Sequence, residues 1–136
     1  MIFHDKTYHR LNGLQDRWKI SEDDVRCAVE SSLLRICIFL PLRYVECGLM
    51  QDDTFILEHY DDKSGLVAVR PEDYNWVCRK GEAKLRIFHC TNIAGRIFRL
   101  AMEPAQIPVI VYPHDFLVLR DDCRKFEKTL RPKDEA

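Results

Sequence analysis

No apolar run in this sequence approaches the roughly 20 residues that a membrane helix requires. The longest stretch, residues 36–42, has the length of a strand. Residues 1–10 include His4, Asp5, Lys6, His9 and Arg10 and lack the apolar segment of a secretory signal, so no membrane partner and a cytoplasmic location are expected. Charge of one sign is missing as well. The 21 lysines and arginines face 22 acids, a formal net charge of -1, which excludes a global basic field for nucleic acid. Any nucleic-acid surface has to be local.

Catalytic and metal signatures are also lacking. There is no glycine-rich phosphate loop, no Gly-x-Ser-x-Gly elbow and no His-Glu-x-x-His. The six cysteines, Cys27, Cys37, Cys47, Cys78, Cys90 and Cys123, form no Cys-x-x-Cys pair, and no histidine stands at zinc-ligand spacing from a cysteine pair. They read as free thiols, buried or half-buried, and no metal is expected. Cys90 adjoins His89, but neighbours on a strand point to opposite faces, and no third group orients the pair. His114 and Asp115 follow Pro113, where Asp115 suits a turn cap. A chain with no cofactor and no enzymatic activity is the expectation.

What is present fits one domain with a real core: 136 residues, 46% hydrophobic and 32% charged. Leu11, Leu14 and Trp18 share a helical face over 11–18. Ser21 is a good N-cap, followed by Glu22, Asp23 and Asp24 and by the stripe Val25, Ala28, Val29 and Ser32. From Leu33 the period becomes two, and the alternation predicts a strand over 33–40 that Pro41 ends or places at an edge. Further strands are predicted over 43–49, 55–60, 66–69, 84–90, 96–102 and 107–112, with acidic turns at 51–53 and 61–65. Pro71 opens a helix that Gly81 stops, with Tyr74, Val77 and Cys78 facing inward. A last helix over 120–130 has the seam Leu119, Cys123, Phe126 and Leu130, followed by a frayed tail.

The order helix, tight turn, helix, strand over residues 11–40 is that of a winged helix-turn-helix. Leu14, Arg17, Trp18, Ile20, Ser21, Val25, Ala28, Val29 and Leu33 carry a pattern that resembles the DNA-binding domains of the MerR and phage-excisionase class. Residues 118–127 look like the closing helix of that class. The chain as a whole is similar to uncharacterised helix-turn-helix proteins of bacterial genomes and prophages. The resemblance implies an α+β fold with an N-terminal helix-turn-helix and wing strand (11–40), a β-rich insert with one helix (41–112) and a closing strand and helix (113–131). The sheet is expected to be mostly antiparallel, or a small barrel, within a single domain over 1–136.

Two surfaces then compete. The second helix carries Glu22, Asp23, Asp24 and Glu30 against the lone cation Arg26, which would face phosphates with acid. Residues 79–99 carry Arg79, Lys80, Lys84, Arg86, Arg96 and Arg99 against only Glu82, with Phe88 and Phe98 interleaved. The expected function is a non-catalytic DNA-binding regulator or excisionase-like accessory protein. Double-stranded DNA would meet Arg17, Lys19, Ser21, Arg26, Arg35, Lys84, Arg86, Arg96 and Arg99, and a homodimer would suit half-site symmetry. The alternative is a module on a helix-turn-helix scaffold without DNA binding, whose partner is another protein and which an acidic helix face and an exposed strand edge would suit. The basic strands would then be a solvated face paired with the acids of residues 52–62.

Overall fold

The computed structural model describes residues 7–130. Its helices are α1 (Leu11–Trp18), α2 (Glu22–Glu30), α3 (Pro71–Lys80) and α4 (Arg120–Thr129). Its strands are β1 (Tyr8–Arg10), β2 (Cys37–Gln51), β3 (Thr54–Ala68), β4 (Ala83–Leu85), β5 (Ile87–His89), β6 (Arg96–Leu100), β7 (Val109–Val111) and β8 (Leu117–Leu119). The tail expected to fray, 131–136, lies outside the described residues, as do residues 1–6. Among the described residues no helix is long and apolar enough to cross a membrane.

The expected α+β composition is present, but the helix-turn-helix plan is not. An antiparallel sheet of six strands, ordered β1-β8-β2-β3-β5-β6, forms the body, and the helices are interspersed among its strands. The strand after α2 is not a wing beginning at Leu33. It begins at Cys37, runs for 15 residues and occupies the middle of the sheet. The physical reason is shared burial. Val25, Ala28 and Val29 of α2 enter the same core as Leu11 and Leu14 of α1, Tyr74 and Val77 of α3, and Cys123 and Phe126 of α4. The acidic first turn of α2 serves the helix itself. Ser21 Oγ accepts from the Asp24 amide at 3.0 Å, the Asp24 carboxylate accepts from the Ser21 amide at 3.2 Å, and Asp23 pairs with Arg26.

Two further expectations are corrected. Residues 37–51 form one strand rather than two, because Pro41 sits inside a register shift between Leu40 and Arg43, where a bulge tolerates its missing N–H. Residues 61–65 are strand and not turn. Gly65, paired with Leu40 beside that shift, takes a φ of 104° and lets β3 follow the bend. β2 and β3 thus make one long hairpin, closed by Asp52 and Asp53, both left-handed at φ 50° and 65°, as a two-residue turn that matches strand twist. The pairings β2–β3, β3–β5, β5–β6 and β6–β2 form a closed circuit, although β3 meets β5 only at Ala68 and His89. β4 leaves this sheet and pairs with β7.

Candidate interaction surface

In an antiparallel pair, directly opposed residues share a face. On one face of the β2–β3 arm the register places Tyr44, Glu46, Gly48 and Met50 from β2 with Asp62, Tyr60, Leu57 and Phe55 from β3. β6 adds Ile97 and Arg99, opposite Gly48 and Glu46. The reverse face holds Val45, Cys47, Phe98 and Leu100 in the core.

The first face is ordered from within. Among the described residues Glu46 is the one charged side chain that is buried, at 8% exposure, and Arg99 Nε donates to its Oε1 at 2.6 Å. The Arg99 guanidinium also lies 4.1 Å from the centre of the Phe55 ring. Phe55 packs over Gly48, where an added Cβ would stand 2.9 Å from the ring and 2.1 Å from the Ile56 carbonyl oxygen. Tyr44 and Tyr60 stack at 5.5 Å with an interplanar angle of 11°. Around this fixed centre Met50, Leu57 and Tyr60 remain 47%, 43% and 46% exposed. Asp52, Asp53 and Asp62 form an acidic rim.

The residues expected to meet DNA are distributed differently. Arg17 pairs with Glu127. Arg26 pairs with Asp23. Arg35 donates to Asp122 at 2.8 Å and to the Thr91 carbonyl at 2.9 Å. Arg96 meets Glu58 at 2.8 Å, and Arg86 donates to the Gln106 carbonyl at 3.3 Å. Lys19 is the left-handed residue that ends α1, and Ser21 is the N-cap of α2. The basic segment of residues 79–99 is divided: β5 and β6 pair as neighbours, but Lys84 belongs to the β4–β7 pair, and Arg96 and Arg99 point to opposite faces of β6. Sequence reasoning passed over Tyr44, Glu46, Phe55, Leu57 and Tyr60. Their alternation was readable in principle, but Pro41, the shift at Cys47 and Gly48, and the acids of 61–62 broke the period into short pieces.

All six cysteines are free. Burial pushes the Cys37 thiol up to about 12 and raises Cys47, Cys78 and Cys123 as well, so these sulfurs favour the neutral, weakly nucleophilic form. Cys27 and Cys78 are exposed, against the expectation of burial. For Cys78 the reason is that only Tyr74 and Val77 of α3 are turned into the core. No group of three or more His, Cys, Asp or Glu among the described residues has metal-binding geometry.

No family model, curated protein or solved structure matches this chain.

Proposed function

We propose that this chain is a non-catalytic protein-interaction module that docks on a partner protein through the Tyr44–Tyr60 face of the β2–β3 arm. One observation carries the reading: exposed Met50, Leu57 and Tyr60 surround an immobilised Phe55–Arg99–Glu46 centre and are rimmed by acid. Apolar patches with polar rims mark association sites, and aromatic and arginine side chains held rigid before binding lose little entropy in forming an interface. The rim specifies the partner's chemistry, an apolar segment flanked by lysine or arginine. Six free thiols suit a reducing compartment, so a cytoplasmic location belongs to the same reading. Arg17, Arg26, Arg35, Arg96 and Arg99 each hold a carboxylate partner, which leaves them little charge to offer the phosphates of duplex DNA.

The test is selection of a random-peptide library on the immobilised chain. Enriched peptides should join apolar and basic residues, and Leu57→Ser with Tyr60→Ser should abolish the enrichment while circular dichroism stays unchanged. Enrichment that survives both substitutions, or none at all, would overturn the reading. Micromolar binding to random-sequence duplex DNA that collapses as salt rises would replace it with a DNA-binding regulator.

A further inference from the structure

A second site lies among the helices and owes nothing to the arm. Four segments far apart in the chain meet there: α1, the first turns of α2, the C-terminal half of α3, and the 3-10 turn Pro113–Asp115. They enclose an open cleft of about 380 Å³, within the size range of small-molecule sites. Its floor is apolar and rigid. Tyr74 and Phe116 are both buried, with ring centres 4.9 Å apart, and Leu11 is buried beside them. The Leu11 amide donates to the Phe116 carbonyl at 3.0 Å, which ties two walls together.

The polar lining combines two arginines with Asn12, Gln15, His114 and one acid. Arg26 and Arg79 both line it, from α2 and α3. Arg26 shares its charge with Asp23, which is exposed and outside the cleft. Arg79 is exposed and, among the described residues, makes no ion pair. Glu22 is the one carboxylate on the lining. An apolar floor of two rings inclined at 42°, bordered by an arginine that makes no ion pair among the described residues, matches a ligand with an aromatic body and a single anionic end. Guanidinium is suited to the anionic end, because its planar fork meets a carboxylate in two parallel hydrogen bonds.

The geometry points to a binding site for a small aromatic carboxylate, with its ring on Leu11, Tyr74 and Phe116 and its carboxylate on Arg79. The cleft also carries its own reporter. The exposed thiol of Cys78 lines it, whereas exposed Cys27 does not. A bound ligand covers the first and leaves the second open.

The experiment uses the full chain with benzoate and phenylacetate as probes, and with acetate, benzyl alcohol and benzylamine as controls that lack the ring, the charge or its sign. The aromatic carboxylates should raise the melting temperature saturably, with dissociation constants on the order of 1 mM or tighter. They should also slow alkylation of Cys78 several-fold, measured by peptide mass spectrometry, with Cys27 unchanged as the internal reference. Arg79→Gln should weaken binding about ten-fold, in line with loss of a charge-assisted hydrogen bond, and Lys84→Gln, on β4, should leave it unaltered. The proposal fails if no aromatic carboxylate shifts melting or protects Cys78. It fails equally if benzyl alcohol or benzylamine does as well as benzoate, or if Arg79→Gln binds like the parent chain. None of these outcomes bears on the arm, so the two assignments stand or fall separately.

Discussion

Lys19 holds a φ of 55°, a conformation that costs an L side chain about 1–2 kcal/mol. It does so because α1 ends and α2 begins within three residues, and its N–H must close on the Gln15 carbonyl at 2.9 Å. Nothing in Lys-Ile-Ser announces a left-handed residue, since the usual signal is glycine. Lys19→Gly is expected to stabilise the fold by about 0.5–1 kcal/mol, the strain relieved less the extra freedom of unfolded glycine. Urea denaturation measures it, and a net loss would mean that the lysine side chain contributes more than its backbone costs. Asp52 and Asp53 pose the same problem at the tip of the arm. Their turn was legible as an acidic, polar break between apolar runs, but its left-handed geometry was not, because Asp53 stands where such a turn normally carries Gly.

Among the elements, the helices were the more readable. Ser21 with its acids, Pro71 with Gly81, and the seam through Cys123 and Phe126 each carry local chemistry that fixes a start, a stop or a buried face. The long strands were not, because each is bent by a residue that ordinarily ends a strand: Pro41 in β2 and Gly65 in β3. Their length follows from pairing with each other, a non-local property. The candidate site was hidden for the same reason, since Glu46, Phe55 and Arg99 belong to three different strands and meet only through the register. Gly48 is the position where that register is tightest. Gly48→Ala would drive a methyl into the Ile56 carbonyl and lift Phe55 from Arg99, at a cost of roughly 1–3 kcal/mol. Amide exchange across residues 44–62 should accelerate while α2 and α3 keep their protection. Unchanged exchange in the arm would show that Phe55 is not held there by the glycine.

For the molecule as a whole, two groups make stability depend on pH in one direction. Burial, reinforced by Arg70 and opposed by Glu72 and Asp73, holds His89 below its ordinary value of 6.5. A hydrogen bond from Trp18 Nε1 at 2.8 Å, with others from Arg17 and Cys123, holds Glu127 below its ordinary 4.5. In both cases the unfolded chain takes up the proton first, so stability present above the ordinary value is lost as the pH falls toward the folded one. The melting temperature should drop on acidification through about 6.5 and again below about 4.5. His89→Gln should flatten the upper limb and Glu127→Gln the lower. A melting temperature that rises on acidification would contradict both assignments. The mixture of helices and antiparallel strands was legible from composition and periodicity. The arrangement of helices among strands was not, because the apolar faces of α1 and α2 specify burial without naming what they bury against.

The pairing of β1 with β8, and of Trp18 with Glu127 across 109 residues, gives this fold a timetable as well as a shape. Contacts so distant in sequence close late, since the entropy of the intervening loop is lost before any of them forms. A nascent chain that has emerged only as far as β7 has no partner for β1, none for the Cys37 end of β2 on that side, and no α4 to cover Trp18 and the buried stripe of α1. During synthesis the arm can form locally, from one tight turn, while the core beneath the helices waits for the last strand. The hairpin is therefore the part that can pair first, and the surface it carries is completed when β6 brings Arg99 to Glu46 and Phe55.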